Sequence, residues 1–97
     1  MSDGNEMLVR EVRVLNQQGL HARPIMRFVD LVTRFSSEVR VGKGEGTEQV
    51  DGRSAMGMML LEAPQGTALR ILARGADASA LLDALEELIH SRFGEDP

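Results

Sequence analysis

GLHARPIMRFVDLVTRF, residues 19–35, joins a glycine-containing turn to a segment with the apolar spacing of a helix. Its apolar residues recur on one helical face, at Ile25, Phe28, Val29, Val32 and Phe35. Pro24 suits a first turn, because its missing N–H has no helical partner to lose. The pattern predicts a helix over residues 24–35, with His21 just before it.

His21 therefore lies where the first backbone N–H groups of a helix have no partner within the helix. These groups and the helix dipole attract anions and disfavour a protonated imidazole. We expect His21 to be neutral and nucleophilic, with any phosphoryl group on its ring lying over the free N–H groups. Arg23 can add a forked cationic donor to the phosphate oxygens. The residue pattern alone leaves an ordinary surface histidine as the alternative.

Four other segments have the alternation of apolar and polar residues that is typical of strands. They are residues 7–15, 37–41, 47–50 and 67–75. The glycine-rich stretch 42–46 predicts a hairpin between the second and the third of them. The last strand carries Leu69, Ile71 and Ala73 on one face.

Two further helices are predicted by apolar periodicity and by capping residues. One covers residues 54–63 and begins at Ser54; the other follows Asp77, which we expect to cap it. The inner stripe of the last helix consists of Leu81, Leu85, Leu88 and Ile89, with Gly94 beyond its end. The order β-α-β-β-α-β-α indicates an α+β fold, with an antiparallel sheet and helices on one face.

The composition limits the class of protein. The 97 residues suit one domain, which we place at residues 7–94, with a flexible leader at 1–6 and a tail at 95–97. A net charge of −4 and only three aromatic residues argue against nucleic-acid binding. Absence of cysteine excludes disulfides and thiolate catalysis. No secretory or membrane-spanning pattern is present, so we expect a cytoplasmic protein without direct membrane insertion.

Two motifs carry a resemblance to a known family. GLHARP, residues 19–24, is followed by an apolar-striped helix, and GRSAMGMM, residues 52–59, follows at a characteristic distance. Together with the last strand and helix, they resemble HPr, the histidine-containing phosphocarrier family of the bacterial phosphoenolpyruvate:sugar phosphotransferase system. The resemblance covers residues 7–94. It implies an open-faced β-sandwich, in which three helices pack on one side of a four-stranded antiparallel sheet.

The resemblance also implies a function. His21 would accept a phosphoryl group on Nδ1 from phosphorylated enzyme I and pass it to IIA domains of sugar permeases, with Arg23 stabilising the phosphate. Such a protein is a carrier and not an enzyme, and it needs no metal or cofactor; we expect a monomer. Family members dock partners around the first two helices, which here predicts contacts by Arg23, Pro24, Arg27, Ala55, Met56 and Met59.

Ser54 matches the regulatory serine that HPr kinase/phosphorylase modifies in many bacteria, although it can also be a helix cap alone. The alternative function is therefore an HPr-like regulatory binding module, acting through Ser54 or through a nitrogen-related branch of the phosphotransferase system. A hydrolase is disfavoured, because residues 52–57 have G-x-S-x-x-G spacing and not the G-x-S-x-G of a nucleophile elbow. His90 is expected on the surface of the last helix, and no close His/Asp/Glu cluster predicts a metal site.

Overall fold

The computed structural model describes residues 6–44, 46 and 48–95. The elements in chain order are β1 Leu8–Arg13, α1 Ala22–Val32, β2 Glu38–Gly42, β3 Val50–Asp51, α2 Ala55–Leu60, β4 Ala68–Arg74 and α3 Ala78–His90, followed by a 3-10 turn at Arg92–Gly94. This order confirms the predicted β-α-β-β-α-β-α arrangement. Most of the predicted leader, residues 1–5, and residues 96–97 of the predicted tail lie outside the described residues.

The strands form one antiparallel sheet in the order β1-β4-β2-β3. β4 is central, and both β1 and β2 pair with it along their whole lengths. Leu69, Ile71 and Ala73 of β4 are fully buried, as their alternation predicts. The three helices cover this face, which confirms the four-stranded open-faced sandwich.

The core lies between the sheet and the helices. Its largest fully buried side chains from the helices and the last turn are Ile25, Phe28, Val32, Met58, Leu81, Leu82, Leu85, Ile89 and Phe93. In α3, Leu82 joins the buried stripe, and Leu88 is only partly buried against it. No helix among residues 6–44, 46 and 48–95 is long and apolar enough to cross a bilayer.

The element boundaries differ from the predicted ones in several places. Helix α1 begins at Ala22, so Pro24 is its third residue, and it ends at Val32 in a turn where Thr33 Oγ1 donates to Asp30 O at 2.7 Å. The predicted third strand was too long: β3 is two residues, paired with the end of β2. Thr47 of that predicted strand lies outside the described residues.

Helix α2 is also shorter than its apolar run predicts. It ends at Leu60, and Glu62 adopts a φ of +50°, a left-handed conformation that cannot continue a right-handed helix. The chain then turns through Ala63, whose side chain is buried. The consequence is that the apolar residues after Leu60 cross toward the core instead of extending the helix.

Asp77 occupies the N-cap position of α3, but its carboxylate does not cap that helix, contrary to the prediction. It accepts hydrogen bonds from the backbone N–H groups of Ser36 at 2.9 Å and Ser37 at 3.0 Å, and from the Ser37 hydroxyl. The carboxylate thus ties the loop between α1 and β2 to the start of α3. The Ser37 hydroxyl first, and then the Ser36 N–H, hold the pKa of Asp77 below its ordinary value of 3.8.

We expect Asp77→Asn to lower the free energy of unfolding at neutral pH, because an amide has one acceptor oxygen where the carboxylate uses two. Since the folded-state pKa is depressed, this contribution is complete above the ordinary pKa and is lost as pH falls through the folded-state pKa. Urea unfolding at several pH values should therefore show the two proteins converging in acid. Asp30→Asn, on the exposed face of α1, is the control. A deficit that persists unchanged in acid would contradict the assignment.

Candidate functional site

His21 is the N-cap residue of α1, as the sequence predicts. Its backbone is extended (φ −92°, ψ −170°), and its carbonyl accepts the first helical hydrogen bond from Ile25 N at 3.1 Å. The ring makes no cap hydrogen bond, and 37% of the side chain is exposed. The N–H groups of Ala22 and Arg23 donate to no acceptor within the described part of the chain. The start of α1 therefore offers unpaired donors beside an accessible imidazole.

The turn before His21 is built on Asn16 and Gly19. The Asn16 side chain is fully buried, and its Nδ2 donates to Gly19 O at 2.7 Å. The backbone carbonyl of Asn16 accepts from Gly19 N at 3.1 Å. Gly19 has a φ of +70°, and a Cβ there would lie 2.6 Å from Ala63 O. Leu20 N donates to that same oxygen at 2.8 Å. Only glycine fits this close approach without moving the loop.

A carboxylate from the predicted tail contacts the imidazole. Glu95 Oε2 lies 2.8 Å from His21 Nε2, and Glu95 Oε1 accepts from Asn16 Nδ2 at 2.9 Å. The Nε2 contact has ion-pair distance without the geometry of a well-aligned hydrogen bond, and Nε2 itself is buried. The accessible ring nitrogen is therefore Nδ1. Sequence reasoning missed Glu95, because no local pattern links residue 95 to residue 21.

Arg23 and Arg27, both exposed, stand one helical turn apart on α1 and share an open groove with the imidazole. A Cβ on Gly94 would come within 3.1 Å of Arg27 Nη1, so that guanidinium lies against the chain after α3. The groove is lined by Gln17, Gln18, His21, Ala22, Arg23, Met26, Arg27, Gly94 and Glu95. Two guanidinium groups and the free N–H groups make this groove suitable for a phosphoryl group.

The exposed apolar residues of α2 differ in part from those predicted. Met56 is 79% exposed and Met59 is 55% exposed, as expected. Ala55, however, is half-buried and packs against the core, because it opens the helix beside β3. Leu60 is 79% exposed, a consequence of the early end of α2 that the apolar run did not reveal.

On α1, Pro24 is buried, and its part in partner binding stays a prediction. Met26, which the sequence analysis did not select, is 49% exposed. α1 and α2 contact each other, so the exposed methionines of the two helices belong to neighbouring elements.

Ser54 caps α2, as predicted: its Oγ accepts from Gly57 N at 3.0 Å. The preceding Arg53 donates from Nη2 to Phe35 O and Ser37 O, both at 2.8 Å, and so ties this cap to the end of the α1–β2 loop. Ser54 is half-buried and lies at a fixed helix start. Its hydroxyl remains at the N-terminal end of α2, where an anion is tolerated.

Comparisons with known proteins agree with this architecture. Residues 8–91 match the model of the family described as the PTS HPr component phosphorylation site. The phosphocarrier protein HPr of Neisseria meningitidis is 39% identical over 89 residues, which are 92% of this chain and 98% of that protein. The phosphocarrier protein NPr of Proteus mirabilis is 41% identical over 88 residues, 90% of this chain and 96% of that protein.

Among solved structures, the crystal structure of HPr-C-His from Thermoanaerobacter tengcongensis aligns with a TM-score of 0.85 and 36% identity. That alignment covers 93% of this chain and 99% of the other. The fold and these matches define a histidine phosphocarrier of the phosphotransferase system. The chain belongs to the HPr family.

We expect Gly19→Ala to destabilise the fold more than Gly66→Ala does. Both glycines have positive φ, which costs an L-residue about 1–2 kcal/mol, but only Gly19 has backbone atoms in the space of a Cβ. Urea unfolding of the two variants separates the clash from the shared conformational penalty. Equal losses of unfolding free energy would show that a Cβ at residue 19 does not clash with the backbone of Ala63.

Proposed function

We propose that this protein accepts a phosphoryl group on His21 Nδ1 from phosphorylated enzyme I and passes it to IIA domains of sugar permeases. The observation that supports this most directly is an accessible imidazole at the start of α1, with Nε2 buried against Glu95 and Nδ1 free. Membership of the HPr family supports a place in a phosphotransferase relay.

The proposed chemistry is transfer between nitrogen atoms. The Nδ1 lone pair of His21 attacks phosphorus on the donor phosphohistidine, and the donor N–P bond breaks with its electron pair returning to the donor imidazole. His21 then carries an N–P bond at Nδ1 and a proton on Nε2. Attack by a histidine of the acceptor reverses these changes. Donor and acceptor are nitrogen phosphates of similar energy, so the carrier is a shuttled substrate and not an enzyme.

The phosphoryl group on Nδ1 would be held by charge and by backbone donors. The N–H groups of Ala22 and Arg23 are unpaired, and the Arg23 and Arg27 side chains are exposed in the same groove. A phosphoryl group accepts hydrogen bonds from both kinds of donor. Arg23 is the closer to His21 along the helix and is proposed as the principal cation.

Partners would dock on the exposed apolar side chains of α1 and α2 beside this groove. These side chains are Met26, Met56, Met59 and Leu60. Methionine adapts its shape to different surfaces, which suits a carrier that must bind both a donor and an acceptor. Arg23 and Arg27 border the same surface and can pair with acidic residues of partners.

We further propose that Ser54 is a site for HPr kinase/phosphorylase. A phosphate there would add nearly two negative charges at the N-terminus of α2, where the helix dipole tolerates them. The added charge would stand beside the exposed apolar residues Met56 and Met59 and would weaken docking more than folding.

A second candidate is a regulatory carrier of a nitrogen-related branch, because the NPr of Proteus mirabilis is 41% identical, the same identity as the HPr of Pseudomonas aeruginosa. Its site chemistry would be the same, because His21 would still carry the phosphoryl group. Parallel transfer assays with a sugar-permease IIA domain and a nitrogen-branch IIA protein distinguish the two. The faster acceptor identifies the branch.

Incubation with phosphoenolpyruvate and enzyme I should place one acid-labile phosphate on the wild-type protein, and phosphorus NMR should assign it to Nδ1 of an imidazole. His21→Ala should remain unlabelled, because no other group presents a nucleophilic nitrogen in the groove. His90→Ala removes the other histidine, which is exposed at the end of α3, and should label normally. Labelling of His21→Ala would refute the carrier assignment.

Ser54→Asp should fold with nearly wild-type stability, since aspartate is also a good cap, whereas Ser54→Ala should lose about 1 kcal/mol. Ser54→Asp should nevertheless accept phosphate from enzyme I more slowly. Ser79→Asp, which adds the same charge at the start of α3, is the control. Equal transfer rates in Ser54→Asp and Ser79→Asp would contradict the regulatory proposal, as would failure of HPr kinase and ATP to modify Ser54.

A further inference from the structure

Methionine accounts for most of the large apolar side chains that the described residues expose. Met56 is 79% exposed, Met59 55%, Met26 49% and Met7 38%, whereas Met58 is fully buried. Methionine is usually a core residue, so this degree of exposure is uncommon. Three of the exposed side chains stand on α1 and α2, which contact each other. We call these three, Met26, Met56 and Met59, the methionine patch.

The direction of each helix toward the core explains why the patch is exposed. In α2, Met58 takes the inward position, and the helical repeat turns Met56 to the opposite side of the helix. In α1, Ile25 and Phe28 are the buried residues, which leaves Met26 facing outward. The fold therefore hides one methionine of α2 and presents thioethers from two neighbouring helices to solvent.

Methionine is the only residue type of this chain whose sulfur can be oxidised, because the sequence contains no cysteine. A peroxide delivers one oxygen atom to the thioether: its O–O bond breaks, the sulfur is oxidised to the sulfoxide, and hydrogen peroxide is reduced to water. Methionine sulfoxide reductases reverse the change, as the oxygen leaves in water and two reductase thiols become a disulfide. The oxidised side chain is uncharged but polar, with an S=O group that requires a hydrogen-bond donor.

We propose that the methionine patch is a site of reversible oxidation, and that its conversion to methionine sulfoxide by a peroxide prevents enzyme I from docking. The inference rests on the proposed function, in which these side chains bind that partner. A sulfoxide oxygen enclosed in an apolar interface loses its water without gaining a donor, so oxidation opposes association. The modification interrupts recognition and leaves the imidazole of His21 chemically unchanged.

The same arrangement protects the fold from the oxidant. Met58 lies between Met56 and Met59 in sequence, yet it is part of the hydrophobic core and has no exposed surface. An oxidant reaches it only when α2 opens. Of the patch, Met26 lines the groove beside His21, while Met56 and Met59 lie outside the residues that line it. Oxidation of the two α2 methionines should therefore act on docking and not on the phosphoryl site or on stability.

Mass spectrometry of peptides from the peroxide-treated protein tests which sulfurs react. At a peroxide concentration that oxidises free methionine, we expect Met56, Met59 and Met26 to be oxidised while Met58 remains a thioether. The free energy of unfolding in urea should match that of the untreated protein. Oxidation of Met58 at the same rate as Met56, or a patch that resists the peroxide, would overturn the proposal.

Binding of enzyme I, measured by calorimetry after catalase has removed the peroxide, tests the consequence. Oxidation should raise the Kd for enzyme I and the KM for phosphoryl transfer roughly tenfold or more, and treatment with methionine sulfoxide reductases should restore both. Met7→Leu is the matched control, because Met7 is exposed before β1 and belongs to neither helix. It should bind like the wild type and lose binding on oxidation as the wild type does.

The variant that replaces Met26, Met56 and Met59 together by leucine removes the oxidisable sulfurs and keeps the surface apolar. Whatever its Kd before treatment, that Kd should not change on exposure to peroxide. A loss of binding as large as that of the wild type would overturn the proposal, as would an unchanged wild-type Kd after full oxidation of the patch. If the untreated wild type neither binds enzyme I nor accepts phosphate, the proposed carrier function itself is wrong. If it does both and oxidation alters neither, only the oxidation proposal fails.

Discussion

The hydrogen bond from Leu20 N to Ala63 O is the contact on which the arrangement of the site depends. It forms because Gly19 has no Cβ, and any side chain there would meet the backbone of Ala63 and Pro64. The contact anchors the turn before α1 to the segment after α2. It thereby sets the point at which α1 begins, and with it the residue that becomes the N-cap. Moving that start by one residue would place alanine, not His21, at the free N–H groups.

Around this turn the fold gathers groups that are distant in sequence. Asn16 and Glu95 are 79 residues apart, yet their side chains meet at 2.9 Å because α3 ends above the turn and Phe93 is buried there. The two nitrogens of the imidazole are therefore not equivalent. Nε2 is buried beside the Glu95 carboxylate, and the ring lies in a groove that Arg23 and Arg27 also line.

Patterns within one element were predictable from the sequence, and contacts between elements were not. The alternation in β4 and the cap of α2 by Ser54 depend on neighbouring residues, and both predictions are confirmed. Asp77 also occupies the expected N-cap position, but its carboxylate accepts hydrogen bonds from two N–H groups of the α1–β2 loop instead of from the start of α3. Glu95 has no local signal, since its role comes from the left-handed turn after α3. His21 and Arg23, in contrast, were found from the residue pattern at the predicted helix start, because that motif is local.

A phosphoryl carrier must use one atom both as nucleophile and as leaving group, and these demands conflict. A more basic nitrogen attacks phosphorus readily but is a poorer leaving group, so raising reactivity in one direction lowers it in the other. A proton on Nε2 would leave Nδ1 free to attack and would later let the ring depart uncharged. In the proposed relay, the chain itself would supply the unpaired N–H groups at the start of α1 and the two arginines that line the groove.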